Sequence, residues 1–223
     1  MIRNIGRMPN RWMDRAAVSM RARRFARFAA VVDALPKPLT ILDVGGRAAF
    51  WAAHGWANRS DVHIVTGNIE TQRCEYSNIE PVKLDATNMS CYSDGEFDVV
   101  FSNSVIEHLS TWENQVKMAN EIRRVAKAYW IQTPNYWFPM EPHFRCIGWQ
   151  WLPVRIRVAI LRRRRCGLRG RTPDLSRARE VVGEVRLLSR RELCRLFPTS
   201  RILTERFMGF VKSWIAVEEL PFR

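Results

Sequence analysis

The sequence predicts an α/β fold, a doubly wound and mostly parallel sheet that closes with an antiparallel C-terminal strand pair. Three observations carry this. After Pro38, short apolar runs alternate with stretches of helical periodicity, as they do in successive β-α units. The run ILDVGGRAAFW, Ile41 to Trp51, passes from an apolar stretch through Asp43 into two adjacent glycines, as a strand does when it feeds a ligand-binding turn. The chain closes with two β-like segments, 201–207 and 212–218, on either side of Gly209.

The elements follow in order. Residues 14–35 read as an amphipathic helix, because Ala17, Met20, Phe25, Phe28 and Val32 recur at roughly helical spacing among arginines. Pro36-Lys37-Pro38 ends it. Such a helix either binds an anionic surface or covers one edge of the following domain; covering is favoured, since its apolar face needs a core regardless of any partner. Strands are expected at 39–44, 62–66, 82–84 and 97–102, with a helix over 47–56 after the first. Ser110-Thr111-Trp112-Glu113 fits a capping box that opens a helix to about Ala126, and 128–133 returns as a fifth strand stopped by Pro134. From Pro134 the pattern breaks into aromatic, proline-rich and arginine-rich sequence, including RRRR at 162–165. A second capping box, Ser189 to Glu192, starts a short helix that ends near Pro198. The division expected is a basic helix over 1–36 and one domain over 37–223 with a basic, aromatic insertion at about 134–187.

Composition bounds the rest. With 223 residues and 47% hydrophobic content, the chain can bury one sizeable core. No apolar run reaches the roughly 18 residues of a membrane span, and the first thirty residues lack the core of a secretory signal, so the expected location is cytoplasmic. Five cysteines without CxxC or Cys/His spacing support neither a disulfide framework nor a zinc site, and no metal is expected. The formal charge of +14 is uneven: residues 1–35 contribute +6 and 145–195 contribute +11, leaving −3 elsewhere. Only five of the 36 basic residues are lysine, a bias that a GC-rich genome produces as readily as phosphate recognition does.

In a doubly wound sheet the ligand crevice lies beyond the carboxyl ends of the strands. Those positions read Asp43-Val44-Gly45-Gly46, then Gly67-Asn68-Ile69-Glu70, then Leu84-Asp85-Ala86-Thr87, then Ser102-Asn103-Ser104 followed by VIEHL at 105–109. In this order they resemble the class I S-adenosylmethionine-dependent methyltransferases, in particular the small-molecule, type-11-like family, over about residues 39–133. The resemblance implies a Rossmann-like methyltransferase sheet and S-adenosylmethionine as cofactor. It places Asp43, Gly45 and Gly46 at the methionine end, Asn68 and Glu70 near the ribose, Asp85 and Ala86 near the adenine, and Ser102 and Asn103 near the reactive methyl. Arg47 and Ala49 stand where the family carries further glycines, and Asn68 stands where it carries an acid. The block TPNYWFPMEPHF, 133–144, is similar to one in bacterial enzymes of this type associated with surface glycans.

The acceptor side is read from the same neighbourhood. A hydroxyl acceptor needs a group that takes its proton, and His143, His108 and Glu107 are the candidates, with Glu141 beside them. Tyr136, Trp137, Phe138, Phe144 and Trp149 are suited either to stacking on sugar rings or to packing as a lid. The expected function is therefore methyl transfer, by O-methylation, to a small-molecule or glycan-linked acceptor. Tryptophans beside arginines in the insertion suit peripheral contact with an anionic membrane surface at its inner face. A nicotinamide-dependent oxidoreductase is disfavoured because residues 45–50, GGRAAF, fail the GxGxxG pattern. A nucleic-acid-directed methyltransferase is the first alternative, since arginines neutralise phosphates, but SNSV replaces the Asn/Asp-Pro-Pro-aromatic sequence of enzymes acting on exocyclic amines. An inactive cofactor-binding or scaffold relative is the second.

Overall fold

The computed structural model describes residues 11–70 and 72–218. Residues 1–10 of the expected basic segment 1–36 lie outside them. Helix α1, Arg11–Asp33, comes first, then β1, Leu39–Val44, a short α2, Ala48–Ala53, β2, Val62–Asn68, and β3, Ile79–Lys83. Next come β4, Phe97–Asn103, α3, Trp112–Val125, and β5, Ala126–Pro134. The insertion holds a two-stranded ribbon, β6, Met140–Glu141, with β7, Cys146–Ile147, and two helices, α4, Val154–Arg163, and α5, Leu175–Gly183. Helix α6, Arg190–Leu196, and the hairpin of β8, Arg201–Phe207, and β9, Phe210–Glu218, complete the chain.

Seven strands form one sheet in the order β3-β2-β1-β4-β5-β9-β8, with β9 antiparallel to both its neighbours and the other pairs parallel. Each central strand is apolar on both faces, so side chains that alternate at period two feed two different layers. Ile41, Ile64, Val99, Phe101, Trp130 and Ile215 pack beneath α1 and α2. Their neighbours Leu42, Val65, Val100, Ile131 and Ala216 pack beneath α3 and α6 with Met118, Ile122, Leu193 and Phe197. The insertion carries a third cluster, in which Phe144 stacks on Trp149 at 4.4 Å above Leu161 and Val182.

The covering role expected of α1 is realised. Phe25, Phe28 and Val32 are buried, and Phe28 meets Trp51, Phe101 and Trp130 at centroid distances of 6.0, 4.6 and 5.9 Å. Arg24 is also buried. Its Nε and Nη2 donate to the two carboxylate oxygens of Glu205 on β8, at 2.9 and 2.6 Å, which ties the helix to the far edge of the sheet.

Some boundaries differ from the expected ones. Strand β3 begins at Ile79 rather than Val82, since pairing with β2 satisfies backbone groups in a stretch too polar to read as a strand. The first capping box does not form at Ser110, which adopts φ 60°; Thr111 caps α3 instead, its hydroxyl accepting from the Asn114 amide at 3.2 Å. The second box forms fully, with Ser189 and Glu192 satisfying each other's backbone amides. All five cysteines are free. Among the described residues no helix is long and apolar enough to cross a membrane, while Trp151, Val154 and Ile156 stand exposed at the start of the arginine-rich α4.

Phe28 is the anchor of α1, so Phe28→Ala is expected to destabilise the protein by about 3–5 kcal/mol in urea unfolding. A loss below about 1 kcal/mol would mean that α1 is docked only loosely on the sheet.

Candidate active site

The turn after β1 is built around close backbone approach. Gly45 lies at φ +78°, and a Cβ there would meet the Val105 side chain at 2.5 Å. At Gly46 a Cβ would stand 1.9 Å from the Asp43 carboxylate, so any side chain would displace that acid. Asn68, at the end of β2, donates to the carbonyls of Gly45 and Gly46 at 3.3 and 3.2 Å and thereby braces the turn. Arg47 caps the start of α2 without a side-chain hydrogen bond and, like Ala49, faces solvent. The two missing glycines therefore cost no steric conflict.

Asp43 is buried, and one of its oxygens accepts from the Trp51 indole at 2.7 Å. Burial pushes its carboxyl up to about 7, against the opposing pull of that hydrogen bond. A cavity of about 180 Å³ opens beside it, lined by Asp43, Gly45, Gly46, Arg47, Phe50, Phe101, Asn103 and Val105. Glu70 and Asp85 lie exposed at the ends of β2 and β3. Asp85 accepts from the Thr87 amide and hydroxyl, both at 2.8 Å, and these bonds hold its carboxyl below the usual range. Ala86 is half-buried beside it. Ser102 is buried and donates to the Val44 carbonyl at 3.1 Å, cross-linking β4 to β1.

Asn103 is shared. It also lines a second cavity of about 310 Å³ beyond the ends of β4 and β5, walled by Arg21 and Arg24 of α1, Phe138, Met140 and Pro142 of the insertion, and Lys212 of β9. The Asn103 amide oxygen accepts from Arg24 Nη1 at 2.5 Å. A larger cavity, about 650 Å³, lies between the insertion and α6, lined by Tyr136, Trp137, Trp149, Arg157 and Arg190 among others. Residues 135–142 partition the two: Asn135, Phe138, Met140 and Pro142 face the smaller one, Tyr136, Trp137 and Glu141 the larger. The larger cavity touches none of the strand-end residues that begin the site, whereas the smaller pair meets at Asn103. Phe144 and Trp149 form the core of the insertion rather than a free stacking platform.

The candidate proton-transfer groups form one cluster. His143 Nδ1 lies 2.7 Å from Glu141 Oε1, and the His108 and His143 rings meet edge to face at 4.8 Å. Glu107 is fully buried; one oxygen accepts from the Thr133 hydroxyl at 3.1 Å, and Oε1 has no partner. Burial pushes its carboxyl up to about 7. Desolvation lowers the His143 imidazole, but the Glu141 hydrogen bond and the charges of Glu141 and Glu107 outweigh it and leave the pKa raised. His108 is driven down to about 4 by desolvation of its packed side and then by His143. Sequence spacing pointed to no metal, yet Glu107, His108 and His143 present ligand-type atoms within 4.8 Å of one another. None of the three lines the Asn103 cavity; Pro142 and Arg145, on either side of His143, do. Sequence reasoning missed Trp51, Arg24 and Lys212, since an indole in a helix and cations on a basic helix or strand carry no local signal of what they contact.

Asp43 and Glu107 make stability depend on pH. A carboxyl whose folded pKa exceeds its unfolded value stabilises the fold fully below the ordinary carboxylate pKa, and that contribution is lost as pH rises through the folded value. The protein is therefore expected to lose stability from roughly pH 4 to about 7, and Asp43→Asn to flatten part of the slope, read from urea midpoints across that range. Stability that rises through the window would contradict the buried-acid description.

Residues 42–128 match the family model described as "Methyltransferase domain", type 11. Over 52 residues the chain is 38% identical to an uncharacterized protein of Mycobacterium tuberculosis H37Rv, covering 23% of this chain. It thus spans only 18% of the length of the curated relatives it matches. Two solved structures share the fold. One is a "possible exported protein" from Bordetella parapertussis, with TM-score 0.55 and 12% identity over 89% of this chain and 67% of that one. The other is the Burkholderia thailandensis 1,6-didemethyltoxoflavin-N1-methyltransferase with its substrate and S-adenosylhomocysteine bound, with TM-score 0.50 and 13% identity over 93% of this chain and 80% of that one. Over residues 42–128, the stretch that carries the glycine turn and strands β2 to β4, the chain is thus similar to the type-11 methyltransferase domain of the class I S-adenosylmethionine-dependent enzymes.

Proposed function

We propose that the protein transfers a methyl group from S-adenosylmethionine to a hydroxyl oxygen of a small-molecule or glycan-type acceptor. The observation that carries this reading is the pair of cavities meeting at Asn103, one walled by Asp43 and the glycine turn, the other by the ends of β4 and β5 and by β9. The turn fits the cofactor's methionine end, because its two glycines leave open the space that a Cβ would fill and Asp43 offers a buried acceptor for an ammonium group. In this reading Asn68 or Glu70 holds the ribose hydroxyls, Asp85 and Ala86 border the adenine, and Ser102 and Asn103 shape the side nearest the transferred group.

When bound, the cofactor supplies a methyl already made electrophilic by its sulfonium. What is left to the protein is alignment of the acceptor and exclusion of water. Asn103 stands where the two ligands would meet, and Arg24 fixes its amide orientation. His143, whose ring does not line the cavity but which is flanked there by Pro142 and Arg145, is the candidate to take the acceptor's proton, with Nδ1 engaged by Glu141 and its pKa raised by the Glu141 and Glu107 carboxylates. The charge of Glu107 supports that basicity, and the His108 ring packs edge to face against the His143 ring.

Calorimetry with S-adenosylhomocysteine tests the cofactor assignment: the full chain is expected to bind it, and Gly46→Val to abolish binding because the valine would displace Asp43. Absence of binding at high cofactor concentration would leave only the scaffold alternative. With a hydroxyl acceptor found by mass-spectrometric screening, His143→Gln is expected to lower kcat by about 10²–10⁴ without changing S-adenosylhomocysteine affinity. Chelator treatment is expected to leave transfer intact, whereas loss restored by a divalent cation would reassign Glu107, His108 and His143 as metal ligands.

A further inference from the structure

The cavity beyond Asn103 has a charge composition that constrains what it can take. Four cations line it, Arg21, Arg24, Arg145 and Lys212, and no acid does. Arg24 is neutralised by its two-oxygen ion pair with Glu205. Lys212 is different. It is half-buried, its nearest side-chain polar contact is the Met20 sulfur at 3.6 Å, and no carboxylate reaches it within ion-pair distance among the described residues. Desolvation, and then the charge of Arg24 joined by that of Arg21, outweigh the opposing pull of the Glu205 carboxylate and push its ammonium below the usual lysine range. Arg21, one turn before Arg24 on the same helix, is exposed and has no ion pair among the described residues. A partly buried lysine facing two arginines costs free energy unless an anion joins them.

The remaining walls are apolar. Phe138 and Phe207 meet edge to face at 6.5 Å, with Met140 and Leu168 nearby, and the volume of about 310 Å³ is at the small end of ligand pockets, roughly 300–1,000 Å³. This space suits one ring with its substituents rather than a polymer.

We propose that the cavity binds the methyl acceptor through a carboxylate or phosphate group held between Lys212 and Arg21, with the acceptor's ring against Phe138 and Phe207. The word acceptor rests on the methyltransferase reading; the anion site itself does not. Lys212 anchors the anion from β9 and Arg21 closes over it from α1, so the N-terminal helix becomes part of the substrate site as well as a cover for the sheet.

Calorimetry on the full chain, with and without saturating S-adenosylhomocysteine, tests this with benzoate, phenyl phosphate and uncharged benzyl alcohol as probes. The anionic probes are expected to bind at least about tenfold more tightly than the alcohol, and the stronger of the two names the group. Lys212→Met is expected to weaken the preferred anion at least about tenfold, Lys212→Arg to retain most of the affinity, and both to leave S-adenosylhomocysteine affinity unchanged. Should Lys212→Met fail to fold, Arg21→Gln on the exposed face of α1 gives the same readout. Equal binding of the alcohol and the anions, or unchanged phenyl phosphate and benzoate affinity in these variants, would overturn the proposal. Loss of S-adenosylhomocysteine binding in the unmodified chain, with anion binding intact, would count against the methyltransferase reading and leave the anion site standing.

Discussion

The Arg24 guanidinium is the constraint on which the site depends. Only 7% exposed, it must replace its lost hydration with protein partners or carry a large desolvation cost. It does so by gripping both oxygens of Glu205 on β8 and the side-chain oxygen of Asn103 at the end of β4. Ser213 on β9 donates to the same Glu205 carboxylate. Helix α1, the end of β4 and the β8-β9 hairpin, distant from one another in sequence, are thereby locked at one point, and that point borders both cavities. Breaking a buried pair of this kind leaves an uncompensated charge, which is why its geometry holds α1 and Asn103 together so firmly.

A buried carboxyl organises the opposite side. Asp43 is held by Trp51, eight residues further along the chain, which also sits in the aromatic layer with Phe25, Phe28, Phe50 and Phe101. Packing of α1 onto the sheet therefore fixes the indole that orients the acid. The two cavities consequently have opposite character. The one at the glycine turn offers a buried carboxyl, suited to an ammonium group, while the one beyond Asn103 is lined by cations alone among its charged residues. Such a contrast suits two differently charged ligands.

Much of this was legible in the sequence. The order of strands and helices followed from apolar periodicity, because period two and period 3.6 are set by backbone geometry and need no tertiary information. The special status of Gly45, Gly46 and Asp43 was legible too, since a strand that ends in an acid and two glycines admits few conformations. Ser110 shows the limit of such reading: Ser and Thr stood side by side, and the backbone at Ser110, in the left-handed region, left the capping role to Thr111. The strand ends were legible as a group, but the contacts that each residue makes were not. Asn68 braces the turn and Ser102 ties β4 to β1, uses that depend on which carbonyl lies opposite in the sheet register.

What only the folded chain decided is the pairing of distant charges. On the sequence, Arg21 and Arg24 are two of eight arginines in the N-terminal basic stretch, and Lys212 is a lone cation in a closing strand. Their meeting at one cavity depends on the angle at which α1 crosses the sheet and on β9 inserting between β5 and β8. Local periodicity determined the layers and the glycine turn, because those follow from backbone sterics within a few residues. The electrostatics of the cavity beyond Asn103 came from tertiary packing, because Coulomb interactions and desolvation depend on distances that no local pattern encodes.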